Sequence, residues 1–505
     1  MATSIGPTQS SRDSDAGAGW HSQSGPGTWQ KDVPPGTKSL SWLRPSTLWQ
    51  SRNDVIASHI ADPTDAARKR WVELASERAQ MASASPDFVV SHGTADAVSL
   101  LVVGDPGEGD NSQYAVAAAL PAIAASADFA FICSDVIYPT GDRGDYGRKF
   151  HHPYRHLSLP IYAVPGNHDW YDGLHGFMHY FCQLNDDGYR PRFGRGPLAA
   201  LAARLWRKTP SPQIRKSRDA EGVLFPDRPA PSPVQPAPYF AIDAGPLRFV
   251  GIDTGITGHL DDDQYRWLKH VSLSTPDRPK VLLTGKPIYV DNKYHPGTVA
   301  GTKETIDEIV KDPRANYVLA IGGDIHNYQR YPVEVEPGRT IQYLVSGGGG
   351  AYMHATHRIP PVDVNGVREE AFRCYPLRRD SLARFSQVID KKLFGGRGLL
   401  AVEPHVAGRF YQGRKITTSN ADRPVAQRLS LGDRLRAMLV HRLPAGRLFH
   451  RFGSEAFDFD DPPFFKQFLR IDAQGSKITV TCYGVTGSAD TEFAPSVEDR
   501  FTIEL

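Results

Sequence analysis

The sequence predicts an α/β protein organised around buried parallel strands, and three observations support this. Four short apolar runs, Ser99–Gly104, Phe129–Cys133, Leu159–Val164 and Tyr317–Ile321, have the length of fully buried strands and give way to turns with Gly or Pro nearby. Each run is followed at once, or within a few residues, by carboxylate, amide, phenol or imidazole side chains, where open α/β sheets hold their sites. Near the C-terminus, alternation such as Lys477–Cys482 adds half-buried antiparallel strands.

Composition sets the limits. With 505 residues, 40% hydrophobic and 23% charged, the chain can form two or three ordinary domains, or one large core with insertions. A formal charge of +2 gives no global reason to expect a nucleic-acid partner. The four cysteines, Cys133, Cys182, Cys374 and Cys482, are widely spaced and form no CxxC pair. They predict reduced thiols rather than a disulfide scaffold or zinc knuckle. Residues 1–38, rich in Ser, Gly, Asp and Pro, lack the apolar core of a secretory signal. The longest largely apolar stretch, Ala115–Cys133, is interrupted by Pro121, Ser126 and Asp128, which argues against a membrane span. A cytoplasmic location is the expectation.

In chain order, a disordered tail (1–38) precedes an N-terminal helical extension (39–95). Asp62 and Pro63 start its helix, which runs to Met81 and carries Trp71 and Leu74. The core (96–360) continues with the strand Ser99–Gly104, a helix from Asn111 to about Ser126, and the strand from Phe129. A Pro-rich loop (Pro229–Pro238) precedes the strand Tyr239–Asp243. Residues 361–460 read as an insertion of helices and loops. Strands at Phe464–Asp472, Ser476–Tyr483 and Phe501–Leu505 (within 461–505) return to the core.

The candidate site residues stand at the strand ends. Asp105 and Gly107 follow the first run, and Asp135 and Tyr138 the second. Gly166-Asn167-His168-Asp169 follows the third, and Gly323, Asp324, His326 and Tyr328 the last. Oxygen donors mixed with imidazole suit Mn, Fe or Zn better than an all-sulfur set would. Asp after a strand is also a common helix N-cap, so Asp105 and Asp135 admit that reading too. Tyr138, next to Pro139, admits a packing role.

The order Asp-x-Gly, Asp-x-x-Tyr, Gly-Asn-His-Asp and Gly-x-x-His-x-Tyr resembles the calcineurin-like metallophosphoesterases, particularly the purple-acid-phosphatase branch. Ile252-Asp253-Thr254, Val281–Tyr289 and the run Ser346–Ala351 with Thr356 and His357 agree. The resemblance implies a four-layer αββα sandwich completed by the C-terminal strands. It implies hydrolysis of a phosphate ester by a metal-activated hydroxide, with one or two transition-metal ions (Mn, Fe or Zn) as cofactors. By the same resemblance Asp105, Tyr138 and His326 hold one ion, Asp135 bridges, and Asn167 binds the second. His168 contacts the phosphoryl group or protonates the leaving group.

Two departures accompany the matches. The family usually has a His before x-Pro where Gly285-Lys286-Pro287 stands, and Gly-His-x-His where Gly323-Asp324-Ile325-His326 stands. Asp324 can still coordinate, and would favour a harder ion. Lys286 places an ammonium near the missing ligand, to bind substrate or replace a cation electrostatically. His295 is a candidate replacement imidazole, and His354 and His357 are candidates for support of the site. The departures also admit a catalytically inactive relative that binds a phosphorylated ligand or protein partner. Two basic insertions, 190–218 and 424–451, carry leucine-rich helical patterns: Leu198–Trp206, and Leu431, Leu435, Leu439 and Leu443. Such helices either pack their apolar faces on the core or touch anionic membranes weakly; packing is the favoured expectation.

Overall fold

The computed structural model describes residues 40–42, 44–82, 87–93, 96–186, 190–207, 233–414, 416, 429–442, 465–485 and 495–505. The expected tail, Lys208, Arg215, Lys216, Arg218, Leu443, Arg447, Arg451 and the start of the Pro-rich loop lie outside these residues. The strands of the two large sheets are β1 (Val89–Ser91), β2 (Ala97–Gly104), β3 (Phe129–Cys133), β4 (Ile161–Val164), β5 (Phe240–Ala244), β6 (Leu247–Ile252) and β7 (Lys280–Thr284). They continue as β8 (Tyr317–Gly322), β9 (Tyr328–Glu336), β10 (Arg339–Ser346), β11 (Arg373–Tyr375), β12 (Lys466–Gln474), β13 (Lys477–Val485) and β14 (Ser496–Glu504). Among the described residues, one sheet has the order β1-β5-β6-β7-β8-β10-β9-β11 and the other β14-β13-β12-β2-β3-β4.

The four apolar runs become β2, β3, β4 and β8, all with parallel neighbours. The alternating C-terminal segments form the antiparallel half of the second sheet, with β12 paired to β2. Side-chain alternation explains the layering. Leu100, Val102, Phe131 and Val164 face Phe249, Leu283 and Ile321 in a core between the sheets. The intervening residues Leu101, Val103, Ala130 and Ile132 pack outward on Val116, Ala119 and Leu120. Opposite them, Val250, Leu282 and Ala320 cover Leu268, Val271, Ile309 and Val310. The result is the αββα sandwich.

Helices α1 (Pro45–Gln50), α2 (Asn53–His59) and α3 (Thr64–Met81) make up the described N-terminal extension. The buried Arg68 of α3 donates to Asp253 and Asp261, both at 2.8 Å, while Trp71 bonds Gly173 O at 2.9 Å. Helix α4 (Asn111–Ala124) is capped by Asp110, and α5 (His175–Cys182) buries Phe177, Met178 and Phe181 beside it. Next come α6 (Pro197–Leu205), α7 (Asp262–Leu273, capped by Asp261) and α8 (Ile306–Lys311). Within 361–460, α9 (Arg378–Phe394), α10 (Pro404–Gln412) and α11 (Leu431–His441) pack together. The same stretch, expected to hold only helices and loops, also contributes β11 to the large sheet through pairing with β9. Both leucine-patterned helices pack on the core as favoured, α6 through Ala202 with the following Trp206, but most of the leucines are not the residues that do it. Ala437 and Val440 are the buried face of α11, whereas Leu431, Leu435 and Leu439 are exposed, as are Leu198 and Leu201 on α6.

Candidate functional site

Three residues at the strand ends have left-handed backbone: Asp105 after β2 (φ 53°), Ser134 after β3 (φ 72°) and Asp324 after β8 (φ 65°). Each such position costs on the order of 1–3 kcal/mol, and strain of this kind concentrates at functional sites. The loops are held by glycines and by one carboxylate. Gly347 and Gly349 lie so close to Asp105 and Gly104 that a Cβ would meet them, and Ala351 N bonds Asp105 O at 2.9 Å. A Cβ on Gly166 would overlap the Asp135 carboxylate. Asp169 accepts from Val136, Ile137 and Gly166 N–H groups at 2.9, 3.2 and 3.1 Å, so it ties the β3 and β4 loops together.

These loops bring the sequence-identified residues together. The buried Tyr138 phenol lies 3.1 Å from Asp105 Oδ1 and 3.1 Å from His326 Nε2. His326 Nδ1 is 2.6 Å from Tyr352 O, a pure acceptor. In neutral His326 the proton therefore sits on Nδ1, and Nε2 presents its lone pair to the cluster. Asp105 Oδ2 accepts from Asp324 N at 2.8 Å, and Asp135 Oδ1 accepts from His168 N at 2.7 Å. Neither carboxylate caps α4, a role taken by Asp110. Asn167 Nδ2 donates to Tyr171 Oη at 2.8 Å, and His168 Nδ1 is 2.8 Å from Pro139 O. Lys286 Nζ lies 3.1 Å from Asp324 Oδ1.

The electrostatics follow from burial. Burial, then the charges of Asp135 and Asp324, push Asp105 well above the usual carboxylate range. Burial and Asp324 raise Asp135 to about 7. The Tyr138 phenol is raised by burial and by both aspartates. Burial would raise Asp324 as well, but the Lys286 ammonium outweighs it and holds the group below its ordinary value. Among the described residues, no group of three or more His, Cys, Asp or Glu side chains is arranged to hold a metal ion by itself. The cluster relies on the Tyr138 phenol for its contacts.

A cleft of about 460 Å³ opens over Asp135, Tyr138, Asn167, His168, Lys286, Asp324 and His326. Its other wall comes from the N-terminal extension through Trp42, Leu48, Asp54 and Val55. Trp42 Nε1 donates to Glu108 at 2.9 Å, and the indole stands edge-on to His168 at 5.0 Å. Nothing in the sequence around Trp42 marked it, because it belongs to no strand-end motif. His354 lines the cleft and accepts from His326 N through Nδ1 at 2.8 Å. His295 is exposed and is not among the residues lining this cleft. His357 is buried against Phe385 with Nδ1 2.9 Å from Ser381 Oγ, a packing role.

No curated protein matches the sequence. Among solved structures, a purple acid phosphatase from yellow lupin (Lupinus luteus) seeds aligns at 11% identity and TM-score 0.39, covering 82% of this chain and 55% of that one. The chain thus spans about half the length of the lupin protein. GAP50, described as the anchor in the inner membrane complex of Plasmodium, aligns at 9% identity and TM-score 0.40, covering 81% and 89%. PhoD aligns at 10% identity and TM-score 0.34, covering 82% and 71%. The calcineurin-like phosphoesterase family model matches residues 98–328, a span that contains the strand-end cluster from Asp105 to His326. That segment is what this chain has in common with the calcineurin-like phosphoesterase family.

Proposed function

We propose that the protein hydrolyses a phosphate ester with the help of one or two transition-metal ions, Mn, Fe or Zn. The observation that supports this most directly is the meeting of Asp105, Tyr138 and His326, from three separate strand ends, around one phenol oxygen. Buried carboxylates that repel one another call for a cation, and the mixed oxygen and nitrogen donors suit these metals. Asp105, Asp135, Tyr138 and His326 would hold the first ion, and Asn167 and Asp324 are the remaining donors. A bound ion of this kind lowers the pKa of water and neutralises charge on a phosphoryl oxygen. His326 is pre-set as a ligand by the Tyr352 carbonyl, which fixes its tautomer. His168, anchored on Pro139 O, hydrogen-bonds the phosphoryl group or gives a proton to the leaving oxygen. Lys286 binds a phosphoryl oxygen. The apolar rim of Trp42, Leu48 and Val55 suits an ester whose alcohol carries an apolar part.

All four cysteines are thiols, three of them buried, which favours a reducing compartment such as the cytoplasm. Among the described residues no helix is long and apolar enough to cross a membrane. A weak contact with anionic membranes is part of this reading, because Arg434 and Arg436 flank the exposed leucines of α11. Pelleting with anionic vesicles at low salt tests it, and absence of pelleting removes it.

Elemental analysis of protein purified without chelators, together with turnover of a generic aryl phosphate, tests the main proposal. Bound Mn, Fe or Zn with turnover is expected; neither metal nor turnover in Mn, Fe, Zn or Co overturns it. Asp135→Ala should abolish turnover, whereas loss of a mere cap would cost about 1 kcal/mol of stability and spare activity. The Lys286–Asp324 pair favours one second reading, a catalytically inactive relative that binds a phosphorylated ligand or protein partner. Phosphate binding without turnover identifies that case.

A further inference from the structure

We infer that Lys286 supplies the second positive charge of the centre in place of a second metal ion, so that the cluster takes one divalent ion per chain. This rests on the phosphoesterase reading above and deepens it. Lys286 is held along the outer part of its side chain. The ammonium lies 3.1 Å from Asp324 Oδ1, and the backbone N–H of Asp324 is in turn bonded to Asp105 at 2.8 Å. The stem runs over Gly258, whose backbone is left-handed (φ 85°). A Cβ there would stand 2.8 Å from Lys286 Cδ, so the glycine makes room for the lysine.

The adjoining position, Gly285, has no side chain to offer as a ligand. A Cβ on Gly285 would meet Thr254 Oγ1 at 2.9 Å and Pro165 O at 3.2 Å, so an imidazole there would require its neighbours to move. His295, the other candidate imidazole, is exposed. Charge counting agrees. Three carboxylates, Asp105, Asp135 and Asp324, are balanced by one divalent ion and one ammonium, with Tyr138 as neutral phenol. A second divalent ion would add two uncompensated charges beside a fixed cation, and like charges at this range repel. An ammonium has three donors. One is used on Asp324, and the others can reach a phosphoryl oxygen in the cleft that Lys286 lines.

Full-length protein saturated with Mn should hold one equivalent by elemental analysis and give the spectrum of an isolated Mn(II) ion rather than a spin-coupled pair. Lys286→Met, which keeps most of the stem over Gly258, should retain one equivalent and bind inorganic phosphate about tenfold or more weakly. Lys286→Arg should recover most of that affinity. Two equivalents or spin coupling in the unmodified protein overturns the inference while leaving the phosphoesterase reading intact. Unchanged phosphate affinity in Lys286→Met, with its thermal melt preserved, also overturns it. No bound metal at all overturns the phosphoesterase reading, and this inference with it.

Discussion

At the residue scale, Gly166 controls the cluster although it offers no donor side chain of its own. A methyl group at that position overlaps the Asp135 carboxylate, so Gly166→Ala must displace Asp135 or the β4 loop. We expect a loss of about 1–3 kcal/mol in stability, as for other overpacked sites. Turnover of an aryl phosphate should fall at least tenfold, and wild-type melting with wild-type turnover would refute the account. Trp42→Ala is expected to leave metal content unchanged while raising KM for esters with an apolar alcohol more than it lowers kcat, because the indole forms the cleft wall beside His168. The two residues differ in legibility. Gly166 stands in a strand-end motif and could be singled out from sequence. Trp42 reaches the cleft only because its extension folds back across the strand ends, and a sequence pattern carries no trace of such a path.

At the element scale, the helical group α9–α11 contains a half-buried titrating group. His441 closes α11, with its ring against Phe410 and Tyr411 of α10. Burial, then Arg414, Arg358 and Arg442, lowers its pKa from 6.5 to about 4. The unfolded chain takes up this proton near pH 6.5 and the folded chain only near pH 4. Stability from neutral His441 is therefore complete above pH 6.5 and is lost as the pH falls toward 4. The Tm of the protein minus that of His441→Gln should decline across this window, and a flat difference would contradict the burial argument. Elements themselves were legible to different degrees. Buried strands such as Phe129–Cys133 announce themselves as short unbroken apolar runs, and α3 by the Asp62-Pro63 start before it. The three-residue β11 does not, because its place is set by its pairing with β9 and not by its own composition. The leucine row of α11 misled for a related reason. Helical spacing identifies an apolar face, but burial fell to the small residues Ala437 and Val440 beside it.

At the scale of the whole molecule, the N-terminal extension is joined to the sandwich through a buried ion pair. Arg68 is fully enclosed and shared between Asp253, itself buried, and the cap residue Asp261. Arg68→Met should cost about 3–5 kcal/mol in denaturant unfolding, because it leaves Asp253 charged, buried and without its main partner. Much smaller losses would mean that water reaches Asp253. Buried central strands were legible because both faces of each are apolar, whereas their layering into a sandwich was implied by the family resemblance of the strand-end motifs. The order in which distant strands pair was not, since β12 gives no sign in its own residues that it lies beside β2.

That pairing has a consequence for biosynthesis. Ser99 in β2 and Arg470 in β12 touch at 3.0 Å although 371 positions separate them. At ribosomal rates of about 5–20 residues per second, the strand leading to Asp105 waits roughly 20–70 s for its neighbour to emerge. Until then its edge is open, so a chaperone or an early partner has access to the very segment that later carries the centre, and prematurely terminated chains would be inert.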